Sequence, residues 1–163
     1  MDNNEHKSLN QIIDFRIKKI DDFKNDKINP YPYKFKKDLN IDFINENEEK
    51  LKEKDITTAG RIISMRSMGK AAFMNIQDEF DKIQLYIKND VIGISNYDTI
   101  VKKLDIGDIV GINGKLFRTR TNQLSINVDS LTLLSKNIRP LPNLKEKDDK
   151  AFYAFDDKEN KYR

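Results

Sequence analysis

The feature of this sequence that most restricts its fold is a change in hydrophobic period at Ile56. Before this residue, apolar side chains recur at helical spacing. After it, they alternate with polar ones, as in strands that bury one face. The alternation predicts five strands and one short helix between the third and fourth strands. The strands are predicted at Ile56–Ser67, Ala71–Gln77, Lys82–Lys88, Asp108–Arg118 and Leu124–Leu134, and the helix at Tyr97–Leu104.

Three strands, a short helix and two more strands follow the element order of an OB-fold, a five-stranded Greek-key barrel. The segment Ser67–Lys70 is typical of a tight hairpin turn, and the polar turn Thr119–Asn122 separates the last two strands. A chain of 163 residues has room for one compact domain with extensions. We therefore expect a mainly β protein, with the barrel at residues 55–136.

The segment before the barrel predicts an amphipathic helix. Ser8 and Gln11 form a capping-box pattern at its start, and the two prolines in Asn29–Pro32 forbid continuation, so the helix should end near Asn25. An extended crossing and a short polar helix around Ile41–Lys52 complete this lead-in, residues 1–54. The apolar stripe of the first helix is predicted as Leu9, Ile12, Ile13, Ile17 and Ile20, with Arg16, Lys18 and Lys19 off it.

The chain becomes charged after Ser135, with Pro140 and Pro142 near the start of this stretch. Neither strand alternation nor a completed helical pattern is evident there. We therefore expect residues 137–163 to be a linker without a further strand.

Composition excludes several function classes. No apolar run approaches the roughly 20 residues needed to span a bilayer, and the N-terminus lacks the features of a signal peptide. The chain has no cysteine, which fits a cytoplasmic protein and removes thiolate zinc sites. Its single histidine, His6, gives almost no basis for a metal site or a histidine-based triad. We expect no membrane association, no metal and no catalytic residue.

The net charge of +3 says little about partners, but the distribution of charge says more. Residues 57–77 and 109–128 contain no Asp or Glu. As neighbouring strands, these segments would form a basic, anion-attracting patch. The alternative is a chance fluctuation along a lysine-rich chain, and charge alone does not decide between them. The basic residues of the two segments are Arg61, Arg66, Lys70, Lys115, Arg118 and Arg120.

Strand alternation assigns the side chains to two faces. The apolar sets Ala72/Met74/Ile76, Ile83/Leu85/Ile87, Val110/Ile112/Leu116 and Leu124/Ile126/Val128 must face the core. Pointing outward are Phe73, Asn75 and Gln77, then Lys82, Gln84, Tyr86 and Lys88, then Asn113, Lys115 and Phe117, and finally Gln123, Ser125 and Asn127.

An outward ring beside amides and Arg66 is the chemistry that single-stranded nucleic acid requires. Rings stack on bases, at about 1–3 kcal/mol per base, while amides and guanidinium groups read base edges. A lone exposed Phe usually has no function, and the first helix could instead cover Phe73 as part of the core. The combination of ring, amide, arginine and barrel order favours binding.

Four segments within the first three predicted strands form a distinctive pattern: Ala59–Arg61, Arg66–Phe73, Gln77–Asp78 and Ile83–Tyr86. Together they resemble the anticodon-binding domain of class II lysyl-tRNA synthetases. The longer insertion between Pro142 and Asp156 is similar to the Bacteroidetes-type form. The resemblance continues through Asn29–Pro32, Gly107–Ile109, Gly114–Phe117, Arg139–Pro142 and Tyr162–Arg163.

The resemblance implies a role for individual residues. Arg66, Phe73 and Gln84 match the family residues that recognise the central uridine of the anticodon: the ring stacks on it, and the other two hydrogen-bond to it. Gln123 stands where the family has a Glu that contacts the first anticodon base. Asn122 replaces a glycine at a left-handed turn position, at modest cost. We add, as candidate phosphate or RNA contacts, Arg61, Lys70, Lys82, Lys115, Arg118 and Arg120.

The implied partner is the anticodon loop of tRNA(Lys), and the implied role is to support ATP-dependent lysylation of that tRNA in a longer enzyme. The family's catalytic half, which uses ATP and Mg²⁺, does not occur in these residues. We therefore expect no cofactor in this chain, and no activity from it alone. The full-length enzyme is expected to be a homodimer, whereas a monomer stays open for the isolated chain.

Two other functions stay open. The chain could be a free-standing OB-fold protein that binds single-stranded nucleic acid or tRNA. The apolar stripe of the first helix could instead dock on a partner subunit, although packing on its own barrel is commoner. Relatives that charge aspartate or asparagine are disfavoured by the Met68–Lys70 turn.

Overall fold

The structure is a computed structural model that describes residues 8–141 and the backbone of residues 143–147 and 150–154. The five predicted strands are present and close into a barrel in the order β1-β2-β3-β5-β4. All neighbours are antiparallel except β3 and β5, which pair in parallel. The predicted OB-fold is confirmed. The strands are β1 Ile56–Met68, β2 Ala71–Gln77, β3 Lys82–Lys88, β4 Ile109–Arg118 and β5 Leu124–Ser135.

The barrel interior contains the alternating apolar side chains that the sequence assigned to it. Residues at every second position of β2 and β3 are buried, and their neighbours are partly or fully exposed. Leu116 and Leu124, near the β4–β5 turn, are only partly buried. Among the side chains that are fully buried are Ile62, Ile76, Leu85, Ile87, Ile112 and Ile126.

Two strand connections each contain a residue with left-handed backbone, which the sequence had suggested for Asn122. Gly69 has φ +63° in the hairpin between β1 and β2, and Asn122 has φ +63° in the turn between β4 and β5. Glycine and asparagine tolerate this conformation better than most residues. Asn122, which stands where the resembling family has a glycine, is therefore compatible with the turn.

The turn between β2 and β3 is held by the carboxylate of Asp78 rather than by glycine. One carboxylate oxygen accepts hydrogen bonds from the backbone N–H groups of Phe80 and Asp81, both at 3.0 Å. The other accepts from Ile41 N at 2.9 Å and Lys37 Nζ at 2.8 Å. Burial alone would raise the pKa of Asp78, but these donors lower it from 3.8 to about 2. The carboxylate thereby joins the turn to the segment before the barrel.

The first helix, α1 (Leu9–Asn25), has the predicted ends but a different buried face. Its capping box is formed, with Gln11 N donating to Ser8 Oγ and Ser8 N donating to Gln11 Oε1. The predicted stripe was wrong at two positions: Ile17 is 43% exposed, whereas Arg16 is buried. Arg16 tolerates burial because its guanidinium donates to the carbonyls of Asn137 and Ile106, at 2.9 and 3.2 Å.

The predicted helix at Ile41–Lys52 consists of two shorter ones, α2 (Ile41–Glu46) and α3 (Glu48–Leu51). They are separated at Asn47, whose side-chain amide donates to the carbonyl of Phe43 at 2.9 Å. Asn side chains often compete with helical hydrogen bonds in this way. Ile41, Ile44 and Leu51 pack into the hydrophobic core.

The connection between β3 and β4 also differs from the single helix predicted at Tyr97–Leu104. It contains α4 (Asn89–Ile92), α5 (Ile94–Thr99) and a 3₁₀ turn at Val101–Lys103. Gly93 has φ +90°, which no α-helix accommodates, and it separates α4 from α5. Within the described residues, no helix is long and apolar enough to cross a membrane.

The expectation that no strand follows Ser135 was wrong. Two further strands, β6 (Asn143–Lys147) and β7 (Lys150–Ala154), pair antiparallel in a separate hairpin. Lys150–Ala154 includes Phe and Tyr, which favour strands. The many charges around them concealed that signal in the sequence.

A buried ionic network fixes α1 and the end of β5 to the turn that precedes β4. The side chains of Lys136 and Asp108 are both 0% exposed, with Lys136 Nζ 2.8 Å from Asp108 Oδ2. Lys136 also pairs with Asp105, which accepts from Lys19 Nζ at 2.7 Å. Burial would raise the pKa of Asp105, but hydrogen bonds from the two lysines hold it below its usual value. The acidic and basic side chains of the network are therefore paired with one another.

We predict that Lys136→Met lowers the free energy of unfolding by about 3–5 kcal/mol, because it leaves a buried carboxylate without its partner. Urea unfolding followed by circular dichroism at neutral pH measures this loss. The control is Lys102→Met, which removes an ion pair between two half-exposed side chains, Lys102 and Asp98. That loss should be much smaller, because exposed ion pairs contribute little to stability. Equal losses in the two variants would contradict the prediction.

Candidate nucleic-acid interface

An open groove of about 890 Å³ lies on the outer face of β1, β2 and β3, bordered by the β4–β5 turn. Four of its lining residues are those that the sequence assigned to anticodon recognition: Arg66, Phe73, Gln84 and Gln123. They come from β1, β2, β3 and the β4–β5 turn, so the barrel brings together residues that are far apart in the chain. The possibility that α1 covers Phe73 does not hold, since Phe73 lines this groove.

The strand register arranges an aromatic row across the groove. Phe73 lies opposite Arg66 on one side and opposite Tyr86 on the other. The rings of Phe73 and Tyr86 stack, with centroids 4.7 Å apart and planes at 23°. Phe117 continues the row at 5.8 Å from Tyr86, and the ammonium group of Lys88 lies 5.4 Å from the Tyr86 ring. In the described part of the chain, the side of Phe73 toward β1 has no ring partner, so a base could stack there.

A polar row runs beside the aromatic one. Register places Asn75 between Ser64 and Gln84, and Gln84 opposite Ser125. Asn75 Nδ2 donates to Ser64 Oγ at 2.7 Å, and Ser125 Oγ donates to Gln84 Oε1 at 2.9 Å. Ser125 was predicted to face outward; its hydroxyl does reach Gln84 on that face, but the residue is fully buried. These bonds fix the orientations of both side-chain amides.

The β4–β5 turn carries Gln123 and is braced by Arg118. The guanidinium of Arg118 donates to both carboxylate oxygens of Glu48, at 2.8 and 2.5 Å, and to the carbonyl of Asn122 at 2.7 Å. The hydrogen bonds from Arg118 hold the pKa of Glu48 below its usual value. The backbone N–H of Gln123 donates to Thr119 Oγ1 at 3.1 Å. Glu48 on α3, outside the barrel, thus helps to fix the turn.

The candidate phosphate contacts are distributed unevenly around the groove. Arg118 and Arg120 line it, although Arg118 is already bonded to Glu48. Arg61 donates to the carbonyl of Gly107 at 2.8 Å. Lys115 lies 3.9 Å from the carboxylate of Asp55. Lys70, in the β1–β2 turn, and Lys82, at the start of β3, do not line the groove.

Some groove residues were placed outward by alternation but given no role from the sequence. Tyr86 and Phe117 extend the aromatic row, and Asn75 belongs to the polar row. Alternation could assign their face, but it could not tell which residues lie opposite each other across strands. That information depends on register.

Comparison with known proteins agrees with this geometry. Residues 56–134 match the family model of the OB-fold nucleic acid binding domain of the tRNA anticodon type. The chain is 38% identical over 170 residues to the lysine--tRNA ligase of Listeria welshimeri, covering 100% of this chain and 32% of the relative. It is 43% identical over 141 residues to the lysine--tRNA ligase of Porphyromonas gingivalis, covering 83% of this chain and 23% of the relative.

These matches confirm the family resemblance found in the sequence. The chain spans about a third or less of the length of the curated relatives that it matches. The region before the barrel is also shared, because the Listeria alignment covers the whole chain. The family model itself covers the barrel strands.

We predict that Glu48→Ala loosens the β4–β5 turn, because Arg118 then loses its carboxylate partner. Amide hydrogen exchange at Asn122 and Gln123, measured by NMR, should accelerate roughly two- to fivefold. Glu49→Ala is the matched control, since Glu49 is exposed and forms no ion pair in residues 8–141. Similar exchange rates in the two variants would show that Glu48 does not brace the turn.

Proposed function

Because residues 56–134 of this chain belong to the tRNA anticodon family of OB-fold nucleic acid binding domains, we propose that its groove binds the anticodon loop of tRNA(Lys). The observation that carries the proposal is the meeting of Arg66, Phe73 and Gln84 in one groove. Stacking on a ring with hydrogen bonds to a base edge is the usual way that proteins read single-stranded RNA.

Within this proposal, the central anticodon base stacks on Phe73. Arg66 and Gln84 hydrogen-bond to its edge. Gln123 contacts the first anticodon base from the β4–β5 turn. Its amide is neutral and offers both a donor and an acceptor. Arg120 also lines the groove and is placed to attract the backbone phosphates.

The relatives are named lysine--tRNA ligases, and this chain corresponds to about a third of their length. We propose that it acts as the tRNA-selecting part of such an enzyme and supports ATP-dependent lysylation of tRNA(Lys). In this proposal, other residues of the enzyme supply the catalytic groups and bind ATP and Mg²⁺. The full-length enzyme is a homodimer. This chain contributes affinity and specificity for the tRNA.

The test is titration of the chain with the tRNA(Lys) anticodon stem-loop and with a stem-loop whose central uridine is replaced by cytidine. The uridine stem-loop should bind more tightly. Equal affinity for both would contradict specific recognition. If unrelated single strands also bound equally well, the chain would be a general single-strand binder. The row of three aromatic rings would then serve to stack on bases of any sequence.

We predict that Phe73→Ala weakens binding of the uridine stem-loop by about 1–3 kcal/mol, because the base loses its stacking partner. Fluorescence anisotropy of a labelled stem-loop measures the change, and the affinity of the unmutated chain should fall as salt rises. Phe80→Ala provides the control. Phe80 is 55% exposed in the β2–β3 turn and does not line the groove. Weakening of the same size in the control variant would rule out Phe73 as the stacking residue.

A further inference from the structure

Asn75 holds a position in the groove that sequence comparison did not single out. It lies on β2 between Ser64 on β1 and Gln84 on β3, and it lines the groove beside Phe73. Its Nδ2 donates to Ser64 Oγ at 2.7 Å. Across residues 8–141, Oδ1 of Asn75 accepts no hydrogen bond. The amide is therefore held with an unused acceptor.

The neighbouring side chains offer donors instead. Gln84 Oε1 accepts a hydrogen bond from Ser125, whereas Gln84 Nε2 donates to no acceptor in the described residues. Within residues 8–141, Arg66 donates only to the sulfur of Met68, at 3.4 Å, and thioether sulfur is a weak acceptor. Both donors thus remain available to a ligand in the groove.

The three strands consequently present a donor from β1, an acceptor from β2 and a donor from β3. The pairing edge of uracil carries an acceptor, a donor and an acceptor in sequence, since N3–H lies between two carbonyl oxygens. Cytosine presents a donor and two acceptors, adenine a donor and an acceptor, and guanine an acceptor and two donors. Among the four standard bases, only uracil complements all three groups, and unpaired bases are read on this edge.

We infer that Asn75 is a specificity-determining residue whose Oδ1 accepts a hydrogen bond from the N3–H group of a bound uracil. Ser64 is the positioning residue that holds the Asn75 amide with Oδ1 available. Cytosine has an unprotonated N3, so an acceptor placed against it leaves two acceptors facing each other. The inference rests on the proposed function, because it requires a base stacked on Phe73.

The test measures the ratio of affinities for the uridine and cytidine stem-loops in four chains: unmutated, Asn75→Ala, Asn75→Asp and Phe73→Ala. Asn75→Ala should lower the ratio about tenfold, as expected for one lost base-edge hydrogen bond. Asn75→Asp keeps the acceptor, so it should keep the ratio even though its charge weakens binding of both RNAs. Phe73→Ala should weaken both RNAs by similar factors, because stacking tolerates any base.

A fifth variant, Ser64→Ala, leaves Asn75 in place and removes only its orienting partner. The ratio should fall by a smaller factor, about threefold. Thermal unfolding establishes that each variant is folded. If Asn75→Ala does not fold, the inference is tested by the other two variants. Ser64→Ala should lower the affinity ratio, and Asn75→Asp should preserve it.

An unchanged ratio in Asn75→Ala would overturn the inference, whether or not both RNAs bound more weakly, because Asn75 would then not read the base. If the unmutated chain bound neither stem-loop, the proposed function would fail and the inference with it. Titration of the unmutated chain therefore distinguishes failure of the proposed function from failure of the inference about Asn75.

Discussion

The register of β1, β2 and β3 is the constraint on which the rest of this surface depends. It sets Arg66 opposite Phe73 and Phe73 opposite Tyr86. Two residues further along β2, it sets Asn75 opposite Gln84. Fully buried side chains on the other face lock the register, because a one-residue slip would turn them toward solvent. The parallel pairing of β3 with β5 then brings Ser125 to Gln84 and closes the barrel. The packing of the core thereby orders the side chains that line the groove.

Part of the positive charge serves the fold. Arg16 and Lys136 are buried and bonded within the protein, and Arg118 is engaged with Glu48. The protein therefore has fewer cations available for phosphates than its 30 Lys and Arg residues suggest. In our account, specificity comes from stacking and from hydrogen bonds to the base edge, while charge contributes salt-sensitive affinity.

Local sequence patterns predicted the structural features that depend only on residues close together in the chain. Strand alternation gave the ends of β2 and β3 and the outward face of Phe73, and the capping box gave the start of α1. The buried Arg16 could not be foreseen, since its acceptors, the carbonyls of Ile106 and Asn137, are distant in the chain. For the same reason, the pairs Arg118–Glu48 and Ser125–Gln84 became visible only once the barrel had set its register.

The most direct measurement is NMR mapping of the isotope-labelled chain during titration with the tRNA(Lys) anticodon stem-loop. Our account predicts that the largest shifts occur on β1–β3 around Arg66, Phe73 and Gln84 and at the turn that carries Gln123. Residues on the exposed side of α1, such as Ile17, should change little. Shifts concentrated on α1, with the groove unaffected, would contradict the claim that this groove is where RNA binds.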